Sequence, residues 1–248
     1  MAGVSFERVA HCYDETRGGE RRGRAVAEGV LPYLSPGGVV EIGIGTGVVA
    51  MGLRAHGRTV TGVDLSPAML ARAVDRLGPS VAVADAARLP FPRQASANAL
   101  LVWVLQLVPD IAETLAEAAR VVRPGGRVVV VPSRSIRDDE AWHIVHRMYE
   151  SLPRRPGMYA ADVEAAGARC GLLRHVATEL ALHQPFELTP SSEARLIAER
   201  AYSSLFDVDD AAFERHCRPA MAALLALPDP DRPRPVEAHQ HVVVFNRR

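Results

Sequence analysis

At 248 residues and 48% apolar side chains, the chain is long enough to bury a substantial core, and a single domain spanning 1–248 is the expected organisation. Lys plus Arg number 29 and Asp plus Glu number 29, so the formal charge is zero and the surface has no general attraction for nucleic acid. Cys12, Cys170 and Cys217 are odd in number and far apart, which argues against a disulfide framework or a zinc knuckle; with no apolar signal core and no membrane-length run, the expectation is a cytoplasmic, non-membrane protein.

In chain order, residues 1–36 read as a leader with a helix at about 20–32. Short apolar runs then alternate with helical segments: VVEIG (39–43), a helix over 46–55, TVTGVD (59–64), a helix from Pro67 to about Leu77, and VAVAD (81–85). ALLVW (99–103), a helix over 111–122 and RVVVV (127–131) complete a core at 37–132, in which VRPGGR (122–127) ends a helix and turns into the next strand. Near-continuous Val/Ile/Leu runs of this kind suit strands covered on both faces, as in a parallel sheet with helical crossovers. Beyond 132 the rhythm changes: helices at 137–151 and 160–167, a strand over 172–183, helices at 190–204 and 208–227, the loop PDPDRPRP (228–235) and a closing strand at 239–246. The blocks 133–189 and 190–236 are expected to supply acceptor-pocket and helical-cover elements, with 237–248 holding the terminal strand.

The most informative stretch is VVEIGIGTGVVA (39–50), with Gly43, Gly45 and Gly47 behind the strand acid Glu41. A dinucleotide loop (GxGxxG) wants glycine where this chain has Val48, and a Walker loop would need a following GK[ST]. Glu41 has no use in a pyrophosphate site, whereas a cationic, amino-acid-bearing ligand could use a carboxylate there. Asp64 and Leu65 follow the second strand, where an acid can accept both hydroxyl protons of a ribose. Asp85 and Ala86 follow the third, placed for the edge of an adenine. All of these fall at carboxyl ends of neighbouring strands, the edge at which open parallel sheets bind ligands.

VVEIGIGTG, TGVDLSPAML, DAARLPFP, WVLQLVPD and RVVRPGGRVVVV together resemble the class I S-adenosylmethionine-dependent methyltransferases, in the broad group that includes ubiquinone/menaquinone-type and many small-molecule enzymes. The resemblance implies an α/β, Rossmann-like, mostly parallel seven-stranded sheet of order 3-2-1-4-5-7-6. Helices would cover both faces, and a helical cover would be inserted between the last two strands. It implies S-adenosyl-L-methionine as cofactor and S-adenosyl-L-homocysteine as product. Glu41 would lie beneath the methionine amino group, Asp64 would take the ribose hydroxyls, Asp85 and Ala86 the adenine, and Tyr13 of the pair Tyr13-Asp14 would lie over the methionine carboxylate. There are departures. Ser96 and Ala97 replace the usual Phe-Asp pair that opens strand four, and Gln106 and Leu107 stand where histidines are common after it. The Asn-Pro-Pro-Tyr motif of amino-methylating nucleic-acid enzymes is absent.

Methyl transfer from a sulfonium needs alignment and, for a protonated nucleophile, a base; no metal site is expected, since no HExxH or paired CxxC occurs. Histidines titrate nearest neutrality, and His143 and His146 share a helical face with Tyr149, making the two histidines the candidate catalytic bases. Trp103 and Gln106 after strand four, together with His11, Tyr149 and His183, are the candidate acceptor contacts. His239 and His241 read as structural. The expected acceptor is a small, partly apolar metabolite offering O, N or C, with RNA methylation and a non-catalytic cofactor-binding scaffold as alternatives and a monomer or homodimer as the assembly.

Overall fold

The computed structural model describes Phe6, Ala10, His11 and residues 13–247, with the side chains of 135–136, 180–188 and 235–238 outside that description. Cys12 and the side chain of His183 therefore lie outside the described residues. The chain divides into two compact units, one comprising Ser5–Ser135, Pro156–Leu182 and His239–Arg248, the other built on Ile136–Arg155 and His183–Ala238.

Strands β1 (Val39–Ile42), β2 (Val60–Asp64), β3 (Val81–Val83), β4 (Ser96–Val102) and β5 (Val122–Val131) are followed by the two-residue β6 (Ser135–Ile136), and then by β7 (Leu173–Leu188) and β8 (Arg234–Asn246). The sheet order is β3-β2-β1-β4-β5-β8, with β7 and the short β6 both pairing with β8. Setting β6 aside, this is the expected 3-2-1-4-5-7-6. The pairs from β3 through β5 are parallel and β5–β8 is antiparallel.

Every residue of β1 and β4 is buried, the polar Glu41, Ser96 and Asn98 included, as suits strands covered on both faces. On one face Val26 of α2 (Gly19–Val30), Val49 of α3 (Val48–Ala55) and Leu70 of α4 (Pro67–Leu77) pack with Val39 and Val60. On the other, Leu115 of α5 (Ile111–Val121) and Val163 of a helix at Ala160–Arg169 pack with Val40 and Ile42. Ser66 caps α4 by accepting from Met69 N–H (3.2 Å), with Pro67 in the first turn, as the sequence indicates. Asp110 caps α5 through Ala112 and Glu113 N–H (2.7 and 3.0 Å).

Packing of α2 against α3 depends on Gly23. A Cβ there would stand 2.6 Å from the backbone carbon and oxygen of Val48, atoms that cannot swing aside. Gly23→Ala is therefore expected to destabilise the protein by about 1–3 kcal/mol through overpacking, read as a lowered Tm and denaturant midpoint. An unchanged midpoint would show that the two helices separate freely at this point.

Where the structure departs from the sequence reading, local causes are visible. The strand expected at 127–131 already begins at Val122: Val122 pairs with Ser96, and the ladder resumes at Arg127 with Asn98, so the predicted turn survives as a bulge with Gly125 at φ 77°. β3 ends at Val83, which leaves Asp85 in a turn closed by Arg88 N–H on its carbonyl (2.9 Å). The helix expected over 190–204 stops at Ala198; Arg200 takes φ 49°, and Ala201 N–H reaches back to Leu196 O (2.9 Å), closing a Schellman-type end. The run expected as one helix at 208–227 starts at Asp210–Ala212, widens into a π turn at Phe213–Cys217 and continues over Arg218–Leu225. Pro219 lies in that run without an N–H for the preceding turn, and the wider turn relieves its clash with the carbonyl four residues back. These helices and Glu140–Glu150 share their own apolar cluster, built on Ile144, Met148, Ile197, Phe213 and Leu224.

Candidate functional site

The carboxyl edge of β1 and β2 gathers the predicted cofactor residues. Alternation along β1 puts Glu41 on the same side as Val39, the side packed by α2 and α3. Its side chain is 2% exposed, and among the described residues its Oε2 has no hydrogen-bond partner. Burial first, and the nearby charge of Asp64 second, push its carboxyl up to about 8. A buried acid with an orphaned oxygen fits a site for a cation.

Past β1, Gly43, Gly45 and Gly47 all take left-handed backbone, with φ of 74°, 57° and 79°. Gly47 needs to be glycine for two reasons: its φ, and a Cβ that would meet the Leu77 side chain at 2.8 Å and Ala73 at 3.3 Å. The loop is tied to β2 by Gly43 and Ile44 N–H on Val63 O (2.8 and 2.9 Å). Asp64 tightens it further: Oδ2 accepts from Gly45 N–H (2.8 Å) and Oδ1 from Ser66 N–H (2.9 Å). Leu65 beside it is 67% exposed, a bare apolar side chain just past the carboxyl end of β2. Asp85 is exposed and caps its own turn through Ala87 N–H (2.9 Å), with Ala86 half-buried between them.

Asp14 has a role that the sequence reading left unassigned. In the short helix α1 (Tyr13–Thr16) it accepts from Thr46 Oγ1 (2.6 Å) in the glycine loop and from Arg76 Nη2 (2.7 Å) of α4. Arg76 also donates to Thr46 O (2.8 Å), so one guanidinium joins the loop to the N-terminal segment. Tyr13 next to it packs edge-on against Phe6, with ring centroids 5.9 Å apart. His11 is exposed, and its carbonyl accepts from Arg72 Nη1 (3.0 Å). The Tyr-Asp pair was the available signal for Asp14; its partners are too distant in sequence to infer.

Trp103, one residue beyond β4, takes φ 55°. Four contacts hold it: its N–H on Val131 O (2.9 Å), its indole Nε1 on Gln240 Oε1 (2.6 Å), its carbonyl under Gln106 Nε2 (2.6 Å), and the Arg22 guanidinium 3.7 Å from the ring centroid. Gln106 is 8% exposed, and its Oε1 has no hydrogen-bond partner among the described residues. At the start of β4, where the Phe-Asp pair is missing, Ser96 donates to Gly38 O (3.0 Å) and Asn98 accepts from Ser35 N–H (2.8 Å).

The other predicted residues belong to the second compact unit and are described within it. His143 is exposed, with Nε2 3.1 Å from Asp138. His146 stacks on Trp142 with centroids 4.4 Å apart, and its Nε2 lies 3.3 Å from Glu150. Tyr149 meets Tyr202 edge-on. The face shared by the three is mixed, because the buried positions of this helix are Ala141, Ile144, Val145 and Met148. Burial raises the thiols of Cys170 and Cys217 above their ordinary value. Among the described residues no group of three or more His, Cys, Asp or Glu is arranged for a metal, and no helix is long and apolar enough to cross a membrane.

Residues 40–130 match a family model described as a methyltransferase domain. The chain is 33% identical over 168 residues to a demethylmenaquinone methyltransferase of Mycobacterium sp. (strain KMS), covering 64% of this chain and 72% of the relative. With the demethylmenaquinone methyltransferase of Tropheryma whipplei (strain Twist) it shares 35% identity over 133 residues, which is 50% of this chain and only 56% of that protein's length. Among solved structures it is similar to a Thermotoga maritima protein described as a possible histamine N-methyltransferase, at TM-score 0.59 and 19% identity, over 98% of each chain. It is also similar to geranyl diphosphate C-methyltransferase from Streptomyces coelicolor A3(2), at TM-score 0.53 and 17% identity, over 90% of this chain and 79% of that one. At such identities the structural likeness carries the fold. With the glycine loop and its acids in place and a relative matched over most of its length, the chain belongs to the class I S-adenosylmethionine-dependent methyltransferases, related to the demethylmenaquinone enzymes.

Proposed function

We propose that this protein methylates a small, partly apolar metabolite, of a quinone- or terpenoid-like kind, using S-adenosylmethionine. The observation that carries the reading is the joint placement of Glu41, the left-handed glycine loop and Asp64 at one sheet edge, with Asp64 bonded to Gly45 N–H. Bound S-adenosylmethionine supplies an electrophilic methyl group on a sulfonium. The chain's residues fit it: Glu41 would face the methionine amino group, the open backbone at Gly43–Gly47 would admit the methionine and ribose, and Asp64 would accept the ribose hydroxyls. Leu65 would lie against the adenine, and Asp85 with Ala86 would read its edge. Trp103 and Gln106 past β4 would orient the acceptor, and their tight mutual hold supports a role in alignment. The acceptor class is supported by the relatives, whose names refer to demethylmenaquinone and geranyl diphosphate.

The test is incubation of the purified protein with methyl-labelled S-adenosylmethionine and a fractionated metabolite extract, followed by identification of the labelled product. Label in an apolar small molecule supports the reading. Label confined to RNA would move the chain to the nucleic-acid class, and cofactor binding with no labelled product would make it a scaffold.

A further inference from the structure

We propose that Asp14 is a positioning residue for the cofactor. Its carboxylate clamps Thr46 and so fixes the glycine loop, which makes cofactor binding and docking of the N-terminal segment favour one another. The assignment rests on the methyltransferase reading of the sheet edge and adds to it a residue remote in sequence from the loop it sets.

The loop is least restrained by its own backbone at its middle. Gly45 is tied by its N–H to Asp64 (2.8 Å), and Gly47 is confined by Leu77 and Ala73, which a Cβ would meet at 2.8 and 3.3 Å. Thr46 stands between them, and a residue flanked by two glycines gains little stiffness from its neighbours. Its restraint comes from other segments. Thr46 Oγ1 donates to Asp14 Oδ1 (2.6 Å), and Thr46 O accepts from Arg76 Nη1 (2.8 Å). Arg76 Nη2 in turn donates to Asp14 Oδ2 (2.7 Å), closing a ring of three residues. Thr46 is 1% exposed, and the side chains of Asp14 and Arg76 are 11% and 17% exposed, so the bonds to this carboxylate meet little competition from water. Branching at Cβ limits the rotamers of Thr46, so holding its hydroxyl also holds the backbone that bears it.

The ring stands between the two parts of the chain that it joins. Thr46 lies among the loop glycines, and Asp14 follows Tyr13 in α1. α4 is the common anchor. Arg76 and Leu77 in its last turn hold Thr46 and bound Gly47, while Arg72 one turn earlier donates to His11 O (3.0 Å) and lies 3.8 Å from Asp14. An ion pair that only fastened the segment to α4 would need no hydroxyl from the loop; the Thr46 bond brings the loop into the same clamp. Undocking the segment removes the acceptor of Thr46 Oγ1 and loosens the middle of the loop. By linkage, a ligand that needs the loop in place must hold the segment down by the same factor.

The experiment measures S-adenosylhomocysteine affinity of the full chain by calorimetry, well below the Tm of each variant. Asp14→Ala and Thr46→Val are each expected to weaken binding about tenfold, and the double variant at most about threefold more than Asp14→Ala alone. Thr46→Ser keeps the hydroxyl and should stay within about threefold of the unsubstituted chain. Hydrogen exchange reads the reciprocal effect. Saturating S-adenosylhomocysteine should slow exchange over residues 13–18 in the unsubstituted chain, and Thr46→Val, which lies outside that segment, should abolish most of the slowing. A purely structural clamp would lower Tm yet leave the affinity of the folded protein and the exchange response unchanged; that result overturns the proposal, as does a double variant whose two losses simply multiply. Should Asp14→Ala not fold, Thr46→Val against Thr46→Ser decides alone, and equal affinity in the two counts against the clamp. All of these outcomes leave the methyltransferase reading standing. If the unsubstituted chain fails to bind S-adenosylhomocysteine at all, that reading falls and takes this proposal with it.

Discussion

Asp64→Ala is expected to raise the dissociation constant for S-adenosylhomocysteine by at least 100-fold. The side chain has two functions at once. It holds Gly45 and Ser66 through their N–H groups, and in the proposed reading it also accepts the ribose hydroxyls. Hydrogen bonds to a charged acceptor are worth about 1.5–3 kcal/mol each, so losing two to the ligand already accounts for more than two orders of magnitude. The alanine also leaves the Gly45 amide without its acceptor, so the loop should loosen before any ligand arrives. Calorimetric titration gives the affinity, and hydrogen exchange at Gly45 and Ser66 in the ligand-free protein reads the second effect. Asp64→Asn keeps one oxygen and should fall between the two. An unchanged affinity in the alanine variant would place the ribose elsewhere.

Glu41 should make both stability and cofactor affinity depend on pH. In the ligand-free fold its carboxyl is pushed up to about 8, whereas the unfolded chain has it at 4.5. Between these values the folded state holds a proton that the unfolded state has released. The contribution is therefore fully present below about pH 4.5, declines by up to about 1.4 kcal/mol per pH unit as pH rises, and is lost above about 8. Glu41→Gln should remove this slope, so its Tm should gain on that of the unsubstituted protein between pH 5 and 8. Binding runs in the opposite sense. A ligand ammonium beside Glu41 favours the carboxylate, so S-adenosylhomocysteine should bind more tightly as pH rises from 6 to 8, by up to about tenfold per unit. The complex should also release a proton to buffer near pH 7. A flat pH profile in the unsubstituted protein would mean that Glu41 keeps its proton and acts as a neutral donor.

Much of the frame was legible because its causes are local. The strands β1, β2, β4 and β5 announce themselves as apolar runs, Ser66-Pro67 starts α4, and the glycine spacing puts a left-handed loop after β1. Asp64 was legible from its position as the acid that ends β2, and there it ties down the glycine loop through Gly45 N–H. What escaped depends on chain segments meeting across the fold. Asp14 and Thr46 are 32 residues apart, and nothing in either local sequence names the other. Ser96 and Asn98 take over the anchoring at the start of β4 by side-chain bonds to residues 35–38, so the missing Phe-Asp pair reads as a loss only until those bonds are seen. The long C-terminal helix was misjudged because its apolar spacing continues through Pro219, which the backbone accommodates with a wider turn.

The left-handed backbone at Trp103 sets folding and function against each other at a single position. Glycine or asparagine would occupy that φ at lower backbone cost, but either would also remove the indole from between Arg22 and Gln240. A search for heat-resistant variants that relieved strain at this position would therefore erase that contact. Robustness would have to be gained elsewhere, on exposed helix positions that touch neither the sheet edge nor the glycine loop.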